Sequence, residues 1–272
     1  MLKLLFIGDI VGRPGRDLLA AKLPRVRRDH GVDFVIANGE NAAAGAGITG
    51  SIAKSILESG VDAITLGDHV WDQRGWETEI AQIEHVCRPA NLPKACPGWD
   101  HLIIEARGFR VGVFTVLGRT YMNLKAECPF LTADRMIDQL KAQCDAIIVE
   151  MHAEATAEKY IMGHYCDGRA TAVVGAHTHV PTADAQILPG GTAYLTDAGM
   201  CGDYDSVIGM KKGPLVQRAA TRLPVERKAP AEGPATMCGV YIESDDVTGL
   251  ATRVEMIRVG GRLKQTIPVV DR

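Results

Sequence analysis

Short apolar runs in this chain repeatedly end in a side chain that can bind a metal ion. Five runs are followed by such residues: Asp9, Glu40-Asn41, Asp68-His69, His152 and His177-Thr178-His179. Short apolar runs bounded by glycine are typical of strands that are buried on both faces. In sheets of that kind, chemistry collects beyond the strand ends. The pattern therefore predicts one site, with room for more than one metal ion.

The composition is that of an ordinary globular protein, with 46% hydrophobic and 23% charged residues among 272. A chain of this length forms one large domain or two small ones. Its net charge of −3 argues against a mainly electrostatic binder of nucleic acid or membranes. A local basic funnel is still compatible with that charge.

The cysteines indicate a reducing compartment. There are seven of them, widely spaced and without a C-x-x-C motif, which favours free thiols and argues against a thiolate zinc site. The apolar run at residues 2–10 is too short, and too soon followed by charge, for a signal peptide. No apolar stretch approaches the ~20 residues that span a bilayer. These features predict a cytoplasmic protein.

The first two-thirds of the chain alternates strand-like and helix-like segments. We expect strands at residues 2–8, 33–38, 62–67, 111–117, 145–151, 171–175 and 192–196. We expect helices at residues 14–28, from a Thr49 or Ser51 cap to 59, at 133–143 with Thr132 as the cap, and at 154–165. Repeated strand–helix units imply parallel strands with right-handed crossovers.

The last third has a different pattern. Residues 236–243 and 250–259 are rich in β-formers and flank a turn-like stretch, so they predict a hairpin. Residues 218–235 predict an irregular surface connection, with a functional flap as the alternative. Together the segments predict an α/β fold in a single domain over residues 1–272, made of two packed sheets or one strongly bent sheet with helices outside.

The two histidines of the last run give the sharpest local signal. In extended backbone, residues i and i+2 point the same way, so His177 and His179 can face one cavity. Each motif alone has an ordinary explanation: loop histidines, a turn at Asp9 or Asp68, a helix cap at His152. Together they corroborate one another as metal ligands. The other histidines are assigned to surface or packing roles: His30, His85, His101 and His164.

The predicted ligands are carboxylates, an amide and imidazoles. Such a set suits manganese, iron, cobalt or zinc, and we expect two divalent ions, with iron or manganese favoured over zinc. Glu40 is the expected bridging ligand, because a carboxylate offers two oxygens and this one lies centrally among the strands. Two ions ~3.5–4 Å apart can hold a hydroxide between them and clamp a phosphoryl group.

The order D…GEN…GDH…H…GAHTH resembles the binuclear metallophosphoesterases of the calcineurin-like superfamily. Residues 6–12 (FIGDIVG), 151–159 (MHAEATAEK) and 175–181 (GAHTHVP) are similar to the YmdB-like branch of that superfamily. The resemblance spans nearly the whole chain. It implies a four-layer α/β/β/α sandwich of two mixed sheets. It also implies phosphodiesterase activity, including on cyclic nucleotides such as 2′,3′-cyclic AMP.

The resemblance also implies a role for each motif residue. Asp9 and His179 match the ligands of one metal ion, and Glu40 matches the bridging ligand. The residues that match the ligands of the second ion are Asp68, His152 and His177, with Asn41 beside them. His69 matches the general acid that donates a proton to the leaving group while a metal-bridging hydroxide attacks phosphorus.

The sequence departs from the superfamily pattern at two positions. Val11 replaces a ligand histidine, a loss that the YmdB-like branch shares. Asp68 stands where the pattern has asparagine. With two divalent ions and a bridging hydroxide, the charges of Asp9, Glu40 and Asp68 bring the centre to zero (4 − 3 − 1), whereas asparagine would leave +1. We therefore expect tighter metal binding and weaker attraction for an anionic substrate.

A second interpretation is a regulatory protein that binds metal and nucleotide with little turnover. A nuclease acting on long nucleic acid is disfavoured by the acidic balance and the lack of a basic groove. We expect a small-molecule phosphodiester or cyclic nucleotide as the partner, no membrane, and leave open whether the chain forms a homo-oligomer.

Overall fold

Two mixed β-sheets form the centre of the protein. The structure is a computed structural model that describes residues 1–226 and 228–268. Its strands are, in chain order, β1 (Leu2–Ile7), β2 (Asp9–Ile10), β3 (Phe34–Asn38), β4 (Ala63–Thr65), β5 (Val86–Cys87), β6 (Leu102–Ala106), β7 (Phe109–Leu117), β8 (Ala146–His152), β9 (Ala172–Ala176), β10 (Gln186–Ile187), β11 (Ala193–Leu195), β12 (Met200–Asp203), β13 (Ala235–Ser244) and β14 (Ala251–Val259).

Six α-helices are found in the described part of the chain: α1 (Gly12–Asp29), α2 (Gly50–Glu58), α3 (Trp76–Glu79), α4 (Pro129–Leu140), α5 (Thr156–Cys166) and α6 (Lys212–Thr221). A short 3₁₀ turn, Ile80–Gln82, follows α3. The Thr49 side chain accepts a hydrogen bond from the Ile52 N–H and so caps α2 as expected. In the described residues, no helix is both long and apolar enough to cross a membrane.

Each sheet combines parallel and antiparallel pairs. The first sheet has eight strands, in the order β2-β12-β13-β1-β3-β4-β5 with β14 paired to β13, and the second has six, in the order β10-β11-β9-β8-β7-β6. In the first sheet, β1, β3, β4 and β5 are parallel, whereas β13 runs antiparallel to its neighbours. In the second, β7, β8, β9 and β11 are parallel.

The strand period of two divides the apolar side chains between layers. Leu4 and Phe6 of β1 pack in the core between the two sheets, together with Val113 of β7. Leu5 and Ile7 of the same strand face the opposite way, into the core beneath α1 and α2. Strands buried on both faces therefore lack the apolar–polar alternation of a surface strand.

A separate apolar cluster lies on the outer face of the second sheet. Met136 and Ile137 of α4 and Met162 of α5 pack there against Val149 and Val173. Helices thus cover both outer faces, and the predicted four-layer α/β/β/α sandwich of two mixed sheets is confirmed.

Some predicted boundaries differ from the structure. The helix expected at 133–143 begins earlier, at Pro129, with Cys128 and not Thr132 as its N-cap residue. The fixed φ of proline suits the first helical turn, and Thr132 is buried within the helix. The predicted hairpin is confirmed, since β13 and β14 pair antiparallel.

The predicted start of the surface connection at residue 218 is wrong, because α6 continues to Thr221. Residue 227, within that connection, lies outside the described residues, as do residues 269–272. The single domain expected over 1–272 includes these positions and stays a prediction.

Candidate metal centre

Strands of both sheets bring the predicted side chains together. Glu40 and Asn41 follow β3, Asp68 and His69 follow β4 after a short turn, and Asp9 lies in β2 of the same sheet. From the second sheet, His152 is the last residue of β8, and His177 follows β9 directly. Because parallel strands end at the same edge of a sheet, residues from distant parts of the sequence converge there.

Four of these residues form one tight group. The ligand atoms of Glu40, Asp68, His152 and His177 all lie within 4.8 Å of one another. The His152 Nε2 is 3.2 Å from Glu40 Oε1 and 3.2 Å from Asp68 Oδ1, and the His177 Nδ1 is 3.1 Å from Asp68 Oδ1. A mixed carboxylate and imidazole cluster of this size can hold a divalent cation.

A second group lies beside the first. The His179 Nε2 is 3.8 Å from Asp9 Oδ1 and 3.3 Å from the Asn41 Nδ2. The Asn41 amide also donates to Glu40 Oε1 at 2.9 Å. The structure therefore places Asn41 against His179, whereas the resemblance implied a position beside the other group, and it places Glu40 between the two groups.

The buried carboxylate of Asp9 favours a bound cation. Burial raises the pKa of Asp9 to about 6, even though His179 and His152 act to lower it. The Asp9 Oδ1 is buried and has no hydrogen-bond partner among the described residues. An ionised carboxylate oxygen without a partner is costly in a dry interior, and a metal ion at this oxygen would remove that cost.

The remaining two acids are stabilised in their charged form. Burial acts to raise the pKa of Glu40 and of Asp68, but the neighbouring histidines outweigh burial and lower both. Gly67 lets the backbone pass close to two of these ligands, because a Cβ there would collide with the His152 ring and the Glu40 carboxylate. The donor set and this close approach both fit a metal centre.

Two residues of the histidine loop have a strained backbone conformation. His177 has φ 93° and His179 has φ 65°, both in the left-handed region that side chains other than glycine avoid. Such residues cost ~1–3 kcal/mol each and persist only where surrounding contacts hold them. Thr178, between them, donates from its N–H and its hydroxyl to Asp197 Oδ2, at 3.1 and 2.7 Å.

Asp197 is itself held by a buried ion pair. The Lys159 Nζ lies 2.7 Å from Asp197 Oδ2, and the two side chains are 0% and 1% exposed. The sequence analysis assigned no role to either residue, because pairing between α5 and the segment after β11 depends on how distant elements pack. The ion pair links α5 to the loop that carries His177 and His179.

Replacing Lys159 with methionine should lower the free energy of unfolding by about 3–5 kcal/mol, since it leaves the Asp197 carboxylate buried without a counter-charge. Urea unfolding of Lys159→Met, of Asp197→Asn and of the double variant Lys159→Met/Asp197→Asn would measure this. The double variant should recover part of the loss. Losses in the two single variants that simply add would contradict a direct coupling.

A hydrogen bond on the side of the ring away from the cluster fixes the orientation of His152. Its Nδ1 lies 3.1 Å from Glu150 Oε1, and the same oxygen accepts from the Asn38 amide at 2.7 Å. A carboxylate at Nδ1 leaves Nε2 free to face the cluster. The sequence contained a signal for this: Glu150 is a charged residue in an otherwise apolar run and shares a strand face with His152 two residues later.

The Glu150→Gln variant should bind metal about 10–100-fold more weakly, because the amide holds the His152 ring less strongly than the carboxylate. Metal titration against a competing chelator would measure the affinity. Glu243→Gln is a matched control, since Glu243 is also buried but lies in β13, where it accepts from the Tyr241 hydroxyl at 2.7 Å. Equal effects of both variants would contradict the role of Glu150.

His69 lies at the edge of the cluster with its side chain 38% exposed. Its backbone N–H donates to Glu40 Oε2 at 3.1 Å. The ring Nδ1 is 2.7 Å from Asp72 Oδ2. Partial burial acts to lower the pKa of His69, but the charges of Glu40, Asp72 and Asp68 outweigh it and raise the pKa. These charges favour the protonated imidazole more than in a free histidine side chain. Asp72 was not anticipated from the sequence.

A cavity of about 1670 Å³ opens in front of these side chains. Its lining includes five of the predicted site residues: Glu40, Asn41, His69, His177 and His179. The other histidines lie elsewhere: His85 contacts the Asp62 carbonyl and His101 contacts Asp100. A small phosphodiester could reach the cluster through this cavity.

Known proteins share both the sequence and the fold. A family model described as YmdB-like protein matches residues 5–257. A Bacillus subtilis (strain 168) protein named 2′,3′-cyclic-nucleotide 2′-phosphodiesterase is 45% identical over 258 residues, which are 95% of this chain and 97% of that protein.

Two solved structures superimpose on nearly the whole chain. A hypothetical protein from Thermus thermophilus has a TM-score of 0.89 and 37% identity, covering 96% of this chain and 100% of that one. A structure described as a novel phosphatase from Mycoplasma pneumoniae has a TM-score of 0.88 and 33% identity, covering 95% and 93%. The resemblance is confirmed: the chain belongs to the YmdB-like family of metallophosphoesterases.

Proposed function

We propose that this protein is a phosphodiesterase that hydrolyses 2′,3′-cyclic nucleotides and depends on a pair of metal ions. The carrying observation is that the seven predicted ligands form two adjoining groups beside one cavity, and four of them (Glu40, Asn41, His177 and His179) line it together with His69. The names of the relatives support the enzyme class, and the 45% identical relative supports the substrate.

The two groups of side chains suggest how the ions would be held. Asp9 and His179, with Asn41 beside them, would hold one ion. The other would be held by Asp68, His152 and His177, and Glu40 would be shared. Iron or manganese is our preferred identity, with zinc next, because the set mixes carboxylate oxygens, which suit manganese, with imidazoles, which suit iron and zinc. When bound, such ions neutralise phosphoryl charge and make water more nucleophilic at neutral pH.

The chain itself supplies the proton for the leaving group. With the His69 Nδ1 directed at Asp72, the Nε2 is the ring atom left to donate. In a 2′,3′-cyclic phosphate the leaving oxygen stays on the ribose, and as an alkoxide it is a poor leaving group unless it is protonated. Glu40 accepts a hydrogen bond from the backbone N–H of His69 and so positions the general acid beside the metal centre.

Elemental analysis of purified protein, together with a panel of cyclic and linear diesters, tests the proposal. We expect about two metal ions per chain and hydrolysis that a chelator abolishes. Tight nucleotide binding without turnover would favour the regulatory protein instead. A metal-free protein that retains full activity would contradict the proposal.

The charge of Asp68 gives a separate prediction. Asp68→Asn removes one negative charge from the centre, so we expect kcat/KM for an anionic diester to rise about tenfold and metal affinity to fall. Steady-state kinetics at saturating metal would measure this. Glu226→Gln is a control that removes a negative charge from the cavity lining outside the predicted ligand set, and it should leave metal affinity unchanged. No gain in rate or substrate affinity for Asp68→Asn would defeat the argument.

A further inference from the structure

The cavity is larger than a cyclic mononucleotide requires. Its volume of about 1670 Å³ exceeds the ~300–1,000 Å³ typical of small-ligand pockets. The predicted metal ligands line one part of it. Another part is lined by Leu215, Arg218 and residues 222–226 and 228–230, which together we call the cavity segment.

The cavity segment brings cations to the cavity. Arg218, Arg222 and Lys228 line it, and none of them forms an ion pair within residues 1–226 and 228–268. Glu226 is the one carboxylate that this segment adds to the lining described. The cations therefore outnumber the acids of the segment and have no counter-charge inside the described part of the protein.

Other acids of the cavity are already paired. Asp72 contacts His69 at 2.7 Å, and Glu154 contacts the His177 Nε2 at 3.2 Å. A cyclic mononucleotide carries a single anionic phosphodiester, which the metal centre would take. Arg218, Arg222 and Lys228 would then have no anionic partner in such a complex.

Apolar side chains lie among these cations. Leu215, Leu223 and Val225 of the cavity segment line the cavity, together with Ile208 and Met210. Alternating cations and apolar surface suit a short nucleic-acid strand, because phosphates bind the cations while bases lie against apolar side chains.

We propose that the preferred substrate is a short oligoribonucleotide that ends in a 2′,3′-cyclic phosphate. Its cyclic end would lie at the metal centre, and its internucleotide phosphates would contact Arg218, Arg222 and Lys228. This inference rests on the proposed function and names its substrate class. The chain's net charge of −3 keeps the expected strand short.

The chemistry needs only water. Water adds to the cyclic phosphorus, one of the two P–O bonds to the terminal ribose breaks, and the released ribose oxygen takes a proton. The product is the same oligonucleotide with a terminal phosphate monoester. The reaction that supplies the substrate is cleavage of an RNA chain by attack of a 2′-hydroxyl on the adjacent phosphodiester, which leaves such cyclic ends.

Kinetics on two substrates test this inference. The metal-loaded protein should show a kcat/KM about tenfold higher for a trinucleotide with a 2′,3′-cyclic end than for 2′,3′-cyclic AMP, which corresponds to one charge-assisted contact or more. Arg218→Gln/Arg222→Gln/Lys228→Gln should reduce that ratio to about one. Raising the salt concentration from ~50 to ~200 mM should also shrink it.

The control variant is Lys22→Gln/Lys54→Gln/Lys125→Gln, which removes three charges from exposed residues outside the cavity lining described. It should keep the wild-type ratio. Fluorescence anisotropy with the product trinucleotide and metal-free protein gives a readout without turnover: the cavity variant, and not the control, should bind more weakly.

The outcomes separate the two proposals. Equal kcat/KM for both substrates in the wild type, or the same ratio in both triple variants, overturns the oligonucleotide inference and leaves the phosphodiesterase intact. No hydrolysis of either substrate by the metal-loaded wild type overturns the proposed function itself, and the inference with it.

Discussion

Replacing His69 with glutamine should reduce kcat for 2′,3′-cyclic AMP by about 10²–10⁴-fold, the usual effect of losing a general acid. The reason is the leaving group: a ribose alkoxide needs a proton, and the His69 Nε2 is the ring atom left to supply it. A diester that releases p-nitrophenolate needs no such proton. On that substrate, the same variant should lose far less activity.

The comparison of the two substrates separates proton donation from a structural role. The variant should keep its full metal content, because His69 is outside the predicted ligand set. Asp72→Asn is a milder change, since it removes only the partner of Nδ1, and it should show the same substrate dependence to a smaller extent. Equal losses of activity on both diesters would contradict proton donation by His69 to the leaving group.

Replacing Glu40 with glutamine should reduce the metal content from two ions to one or fewer per chain. Glutamine keeps the shape of the side chain but loses the charge that lies between His152 and the Asn41 amide. We expect activity to fall by about 10³-fold or more, because charge stabilisation at the phosphoryl group depends on the ions. Elemental analysis and steady-state kinetics measure the two effects.

Thermal unfolding gives an independent readout of the same change. Ions that bind only the folded state stabilise it by RT ln(1 + [L]/Kd). A chelator should therefore lower the Tm of the wild type more than that of Glu40→Gln, which binds fewer ions. Glu154→Gln is the matched control: Glu154 also contacts a cluster histidine, but its side chain is 50% exposed. It should retain both ions. Two bound ions per chain in the Glu40→Gln variant would contradict the role of Glu40 as a ligand shared by both ions.

The convergence of the site could be predicted from the sequence because it follows from topology. Glu40, Asp68, His152 and His177 each come at or just after the end of a buried strand, and parallel strands end at one edge. The alternation of strands and helices predicted two packed sheets or one strongly bent sheet with helices outside, and the resemblance implied the four-layer sandwich. What could not be predicted was the arrangement behind the ligands, such as the Lys159–Asp197 ion pair, which depends on packing between distant elements.

Two kinds of local feature were missed for physical reasons. Helix α6 has no buried residues in the structure, so packing against the core does not determine where it ends, and the sequence analysis placed the start of the connection too early. The position of Asp9 in its own short strand depends on pairing with Met200, far away in the sequence. Neither local propensity nor spacing contains that information.

The central claim is that side chains from both sheets gather around a pair of cations. The most direct test is a crystal structure of the metal-loaded protein, with anomalous data collected at the edge of the bound metal. We predict two anomalous peaks ~3.5–4 Å apart, one beside Asp9 and His179, the other beside His152 and His177, with Glu40 between them. A single peak, or no peak among these residues, would contradict the account.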